Sequence, residues 1–359
     1  MRRTISGVIA AVMLCAAAMA AEPRQEVRFP NLPDLLTLKC DLHMHTVFSD
    51  GYVWPTVRVD EAWREGLDVI ALTDHIEYRP FKRDVPTSLN RPHEIAERRA
   101  AERGLLLIRG AEITRDTPPG HHNAIFLSDV DALDLEDYYA VFDEAQKQGA
   151  FVFWNHPGWQ GEDRGQWDEW QQKPFEKKQL HGIEICNGDD YWGYAHDLAV
   201  EHGLTLLGDS DIHSPASDKP RTPAVHRTMT LVFAKERTVE AVRDALFAGR
   251  TAVWCENRLI GRSAEMEQLF PACVRVRAPH YRTDKHIWVR IDNFCELDLE
   301  LQRIGEQGPR EIKLPAGATT LLRFDVPAET LSAGLSYRVM NMWVGREKPL
   351  EVKLVVPAE

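Results

Sequence analysis

A rhythm along the chain limits the fold more than any single motif. Short apolar runs fall near residues 40–45, 68–73 ("DVIALT"), 105–109 ("LLLIR"), 123–127 ("NAIFL"), 150–154 ("AFVFW"), 182–186 ("GIEIC"), 204–207 ("LTLL") and 229–233 ("MTLVF"). Runs of this length, bounded by polar and turn residues, read as buried strands. Amphipathic segments at 56–65, 91–103, 135–148, 194–202 and 238–248 separate many of them with helical spacing. Strands that alternate with helices pair largely in parallel, because each helix carries the chain back to the same end of the sheet. Roughly seven such units predict an α/β fold, a distorted (β/α)7-type barrel over residues 21–260.

The rhythm stops near residue 260. "CVRVRA", "HIWVRIDN", "LDLELQRI", "TTLLRFDV", "SYRVMNMWV" and "LEVKLVV" follow one another with turn residues between and no helical run. Apolar and polar positions alternate, as burial of one face requires, so residues 261–359 are expected to form a small antiparallel β-sandwich. The other end is a targeting segment. Arg2 and Arg3 precede an apolar run from 5 to 18 and an Ala18-Met19-Ala20 exit, so residues 1–20 read as a secretory signal peptide and the mature chain begins at Ala21. The run is too short for a stable membrane anchor. A periplasmic or secreted protein is the expectation.

Six cysteines, one of them Cys15 inside the signal, leave an odd number at irregular spacing. That argues against a disulfide framework. Cys40 and Cys186 read as small buried apolar residues, while Cys273 and Cys295 are left open as a pair. The net charge of -12 provides no basic footprint for nucleic acid. An anionic substrate would need a local positive centre. The oligomeric state is not legible, and a homodimer stays open.

Most predicted strands end in, or run into, a metal-ligating side chain. "CDLHMHTVFSDG" at 40–51 puts His43 and His45 on one strand face. His75 follows in "ALTDH", Glu112 in "IRGAEIT", His121 in "PPGHHNAIF", His156 in "FVFWNHPGW", and Asp211 and His213 in "LLGDSDIHS". Barrel sites are built at the C-terminal ends of strands, where residues distant in sequence converge. Mixed imidazole and carboxylate donors suit zinc, manganese or iron(II) and suit calcium poorly. Of the adjacent pair at 121 and 122, the GHxN pattern and a face shared with Asn123 favour His121. His122 is then a hydrogen-bonding partner from behind or a buried strand residue.

From about residue 39 to 215 this order of motifs resembles the polymerase and histidinol phosphatase (PHP) family of metal-dependent hydrolases, most closely an exported phosphodiesterase branch. "DLHMHTVFSDG" is similar to its first motif, "TDH" to its second, the glutamate of "GAEIT" to its third and "SDIHS" to its last. The resemblance implies three divalent ions: His43, His45, Glu112 and Asp211 around the first, Asp50, His75 and His213 around the second, Glu112, His121 and His156 around the third, with Glu112 bridging. Asp50, Glu112 and Asp211 would act catalytically by holding and bridging the metals that activate the water nucleophile, a metal-bridging hydroxide. With neutral imidazoles and these carboxylates the cluster would carry a net charge of about +3, the local positive centre that a small-molecule phosphoester needs.

Other groups carry alternative readings. Asp74 and Asp209 either orient ligands or cap turns, and Asn155 and Asn187 end strands at the same face. Arg79 and Arg227 are candidates to hold a phosphate oxygen. The aromatic stretches "GWQGEDRGQWDEW" and "DDYWGY" put Trp159 and Tyr191 forward as substrate contacts, with Trp167, Trp170 and Trp192 as further wall or anchor residues. The leading expectation is phosphodiester hydrolysis. A phosphomonoesterase of the histidinol-phosphatase type and an amide or carbamate hydrolase are alternatives on the same centre, and a non-catalytic exported metal- or carbohydrate-binding protein is the alternative of another class. GxSxG and GxxxxGK are absent from the sequence, so neither a serine elbow nor a P-loop is expected.

Overall fold

A computed structural model describes residues 23–217, 221–283, 286–325 and 334–357. The signal segment and Ala21 lie outside the described residues. The first half runs β1 (Leu36–Asp41), α1 (Pro55–Arg64), β2 (Val69–Leu72), α2 (Arg91–Arg103), β3 (Leu106–Ile113), β4 (His122–Ile125), α3 (Tyr138–Lys147) and β5 (Phe151–Trp154). It continues through α4 (Glu169–Glu176), β6 (Gly182–Asn187), β7 (Asp190–Tyr191), α5 (Gly193–His202), β8 (Thr205–Asp209), β9 (Met229–Ala234), α6 (Val239–Phe247), β10 (Thr251–Cys255) and β11 (Arg258–Gly261). Each amphipathic segment became a helix and each apolar run a strand, except that β1 is Leu36–Asp41 and not 40–45, which leaves His43 and His45 beyond its end. The rhythm gave no warning of α4, interrupted by Pro174, or of the short β7, β10 and β11.

β1, β2 and β3 pair in parallel, as do β5 with β6 and β6 with β8. β4 is antiparallel to both β3 and β5. The physical reason is the link from β3 to β4, which contains no helix, so the chain turns back beside the strand it has just left. β9 and β10 extend the sheet antiparallel on the far side of β1. Alternation along β5 sends Phe151 and Phe153 into a cluster with Leu42, Val69 and Leu207, while Val152 meets Val141 and Phe142 of α3. Burying each such phenylalanine stabilises the fold by about 1.5–3 kcal/mol.

The tail departs from expectation in two ways. A helix, α7 (Ser263–Cys273), precedes the strands; Pro271 near its end breaks the pattern by which it would be read. Then β12 (Val274–Arg282), β13 (Ile287–Asn293) and β16 (Thr319–Phe324) form one antiparallel sheet. β14 (Leu299–Arg303), β15 (Glu311–Leu314), β17 (Leu335–Trp343) and β18 (Pro349–Leu354) form the other. This second sheet is continuous with the first half of the molecule: β17 pairs in parallel with β11 through Leu259 with Met342 and Ile260 with Trp343. One apolar core accordingly runs from Leu67 and Trp254 to Val339 and Leu350.

Cys40, Cys186, Cys255, Cys273 and Cys295 are all buried and free. Among the described residues no helix is long and apolar enough to cross a membrane.

Candidate metal centre

The site is assembled by strand continuation. β1 ends at Asp41, so His43 and His45 lie just beyond it, where the chain stays extended. Asp211 N–H donates to the His43 carbonyl at 2.9 Å and His45 N–H to the Ile212 carbonyl at 3.1 Å, and Met44 and Ile212 form a parallel bridge. His75 and Glu112 form a second such bridge beyond β2 and β3. The first and last motifs therefore run side by side, as do the second and third. Asp50 arrives on a turn in which a Cβ on Gly51 would lie 2.6 Å from the His45 backbone, so only glycine fits.

Buried polar groups hold these ends in place. Asp74 accepts from Thr46 N–H at 2.7 Å and Ser49 Oγ at 2.8 Å, and Asp209 accepts from Leu42 N–H at 2.8 Å. Both fix backbone. Arg58, wholly buried on α1, pairs with Glu61 at 2.6 Å and donates to the carbonyls of His45, Ile212, His213 and Ser214 at 3.0–3.2 Å. Sequence reasoning missed it, although a charged residue on the face that also buries Pro55, Val59 and Ala62 is a signal that buried acceptors await it.

At the centre, Asp211 Oδ1 stands 3.2 Å from His43 Nε2 and 2.9 Å from His45 Nε2. Glu112 Oε2 stands 3.4 and 3.3 Å from the same two nitrogens. Ligand atoms about 2.0–2.2 Å from one tetrahedral ion are themselves about 3.3–3.6 Å apart, and His43, His45 and Glu112 group within reach of one ion, as do His43, His156 and Asp211. Asp50 Oδ1 lies 3.4 Å from His75 Nε2 and 3.1 Å from His213 Nε2. Glu112 Oε1 lies 2.8 Å from His121 Nδ1 and 3.5 Å from His156 Nε2, which is also 3.7 Å from Asp211 Oδ2. His45 Nε2, Asp50 Oδ1 and Asp211 Oδ1 are buried without a hydrogen-bond partner. Orphaned lone pairs of this kind are costly unless a cation satisfies them.

Electrostatics agree with that fit. Burial alone would push Glu112 and Asp211 upward, but the surrounding imidazoles, His43 foremost for Asp211 and His75 for Glu112, hold both carboxyls well below their ordinary range. Burial pushes His45 down to about 3 despite Asp211 beside it, whereas at His43, His75, His156 and His213 burial is outweighed by the neighbouring carboxylates, which raise them and hold protons that a bound metal would displace. His156 and Asp211 both have left-handed backbone, with φ of 24° and 51°, a strain that persists where surrounding contacts impose it.

One contact explains how the strain at His156 is held. Glu184, fully buried on β6, places Oε1 2.9 Å from His43 Nδ1, while its Oε2 accepts from His156 N–H at 2.8 Å and from Asn187 Nδ2 at 3.0 Å. A single carboxylate thus orients one ligand's ring and another's backbone. A glutamate inside the apolar run "GIEIC" was the available signal. Asn155 Nδ2 donates to Glu112 Oε1 at 3.1 Å, and Thr114 Oγ1 sits 2.6 Å from His75 Nδ1. His121 is the member of its pair that reaches the cluster. His122 is enclosed by Tyr138, Phe142 and Trp154, and burial lowers it to about 3.

The chain is similar to the crystal structure of a two-domain protein from Bacteroides vulgatus, described as containing a predicted PHP-like metal-dependent phosphoesterase. The two are 42% identical with a TM-score of 0.86, over 93% of this chain and 99% of that one. The chain belongs to the PHP family. A stretch of 79 residues is also 38% identical to a 5'-3' exoribonuclease of Haemophilus influenzae, and covers 22% of this chain and 24% of that protein. Residues 274–355 match an Ig-like domain family.

Beside the ligands, this PHP protein has a cavity of about 390 Å³, whose other lining residues are Tyr78, Thr114, Trp159, Asn187, Asp190 and Trp192. Trp159 stands where the sequence suggested. Three other expected substrate contacts do not. Tyr191 turns away: its hydroxyl is 3.0 Å from His196 Nδ1 and its ring packs on Trp343 of β17, while its neighbours Asp190 and Trp192 face the cavity, as period-two alternation requires. Arg227 is 3% exposed and locked between Asp41, at 2.8 Å, and Glu65. Arg79 donates to the Thr87 carbonyl and pairs with Asp134 at 3.4 Å, outside the lining.

Proposed function

We propose that this PHP protein is a metal-dependent phosphoesterase that hydrolyses phosphodiesters at a centre of three divalent ions. The observation that carries the reading is the convergence of His43, His45, Asp50, His75, Glu112, His121, His156, Asp211 and His213 in overlapping groups whose ligand atoms lie within 4.8 Å of one another. His43, His45, Glu112 and Asp211 would hold the first ion, Asp50, His75 and His213 the second, and Glu112, His121 and His156 the third. Zinc, manganese or iron(II) bound there would lower the pKa of a water towards neutrality and stabilise charge on the phosphorus oxygens. The chain's own part is to fix the donors. Glu184 takes the His43 Nδ1 proton into a hydrogen bond, so that Nε2 presents its lone pair, and Asn155 and Asn187 steady Glu112 and Asp211.

Two observations favour a diester. Among the described residues the cavity lining has no lysine or arginine to grip the second charge of a monoester, and three aromatic rings offer surface to an organic substituent. The similarity to an exoribonuclease, an enzyme of phosphodiester bonds, lies on the same side. A site of action in the periplasm or outside the cell is supported by the signal-like first 20 residues and accords with the Ig-like domain. The test is turnover of bis(p-nitrophenyl) phosphate, p-nitrophenyl phosphate and an arylamide by one preparation loaded in turn with manganese, zinc and iron(II). Preference for the diester is expected. Preference for the monoester or the amide overturns the diester assignment, and no turnover with any metal overturns the enzyme reading.

A further inference from the structure

We propose that the aromatic side of the cavity is a subsite for an alkylammonium group, so that the substrates are phosphodiesters carrying an amino or quaternary ammonium alcohol. This rests on the phosphodiesterase reading and specifies the substituent. Tyr78 and Trp159 are 55% and 53% exposed and line the cavity beside the ligands. Both are fixed from behind by metal-site histidines. Tyr78 meets His75 edge-on at 6.0 Å, and Trp159 meets His121 at 5.5 Å and His156 at 5.8 Å. Trp192 lies so close over Gly158 that a Cβ there would come within 2.4 Å of the indole. The three rings are a wall in place.

Beside them in the lining stands Asp190, exposed and without an ion-pair partner among the described residues, and the lining has no lysine or arginine. An anionic substituent directed to this side, away from the metals, meets the Asp190 carboxylate with no lysine or arginine beside it. A neutral aryl group gains only burial. A cationic substituent gains attraction to the carboxylate and to the aromatic rings beside it, the two kinds of group that hold quaternary ammonium ions. The volume of about 390 Å³ is at the small end for ligand sites and suits the phosphate and one short substituent of a diester, the second ester group lying towards the mouth.

The test compares p-nitrophenylphosphorylcholine with p-nitrophenyl 3,3-dimethylbutyl phosphate, which share a leaving group and a shape and differ by one positive charge. With metal-loaded enzyme the choline ester is expected to have about ten-fold higher kcat/KM, mostly through KM. Asp190→Asn and Trp159→Leu are each expected to collapse that ratio towards one, with metal content and the circular dichroism spectrum as checks on the fold. Equal kcat/KM for the two esters in the wild type, or a ratio unmoved in Asp190→Asn, overturns the proposal alone. Failure to turn over either ester or bis(p-nitrophenyl) phosphate overturns the phosphodiesterase reading and the proposal with it.

Discussion

The floor and the wall of the cavity are built in opposite ways. The floor is made of strand ends: His43, His45, His75, Glu112 and His156 are buried, and their backbones are tied to neighbouring strands or their rings to a second polar group. The wall is made of loops and half-exposed rings. One part of it, the turn from Asn187 to Trp192, leans on the Ig-like domain. Tyr191 packs on Trp343 at 5.4 Å, the Arg258 guanidinium lies over both rings at 5.5 and 5.4 Å, and Arg346 pairs with Asp197 at 3.0 Å. The barrel thus secures its donors with its own backbone, whereas the surface that chooses a substituent borrows support from a second domain. On the proposed reading, reaction and selectivity would rest on separable structures.

Substitutions distinguish the two parts. The largest effect is expected from His43→Ala or Asp50→Ala, which should reduce phosphodiester turnover to background and lower metal content by elemental analysis with little change in the folded spectrum. Substantial turnover at full metal loading would break the assignment of the floor. Next, Arg227→Ala should destabilise the protein by about 3 kcal/mol in urea denaturation, because it strands Asp41 as a buried charge and unpairs the partly exposed Glu65. A raised KM with unchanged stability would return Arg227 to the wall. Glu184→Ala should weaken metal affinity by roughly 10–100-fold, read by chelator competition, with Glu184→Gln in between. Trp343→Ala, far from any ligand, should raise KM for a diester by about 2–10-fold, the worth of an aromatic pair, and leave metal content unchanged. An unchanged KM would show that the wall stands without its prop.

The same division decides what could be read from sequence. A ligand at the end of an apolar run is legible, because burial marks the strand and the strand's end fixes the position; His75 after "ALT" and His156 after "FVFW" are of this kind. Glu184 carried a readable signal in its apolar surroundings. Tyr191 did not, since the side on which it falls depends on the phase of a two-residue strand, β7, which no periodicity can establish. Arg227 was misread because its partners lie 186 and 162 residues away, and an arginine looks the same whether it awaits a phosphate or two carboxylates. The pairing of β11 with β17 is equally silent, as each strand alone satisfies the pattern of an ordinary sheet.

The bridge between Met44 and Ile212 has a kinetic corollary. It closes a loop in which Leu42 and Asp209 are joined across 167 residues, among the most distant contacts a barrel makes and so among the last to repay the entropy of forming them. The histidines at 43 and 45 face Asp211 only after that closure. A divalent ion bound between them acts as a clasp on the finished barrel, its affinity counting directly towards folding stability. A chain halted before residue 211 lacks the donor that closes the clasp.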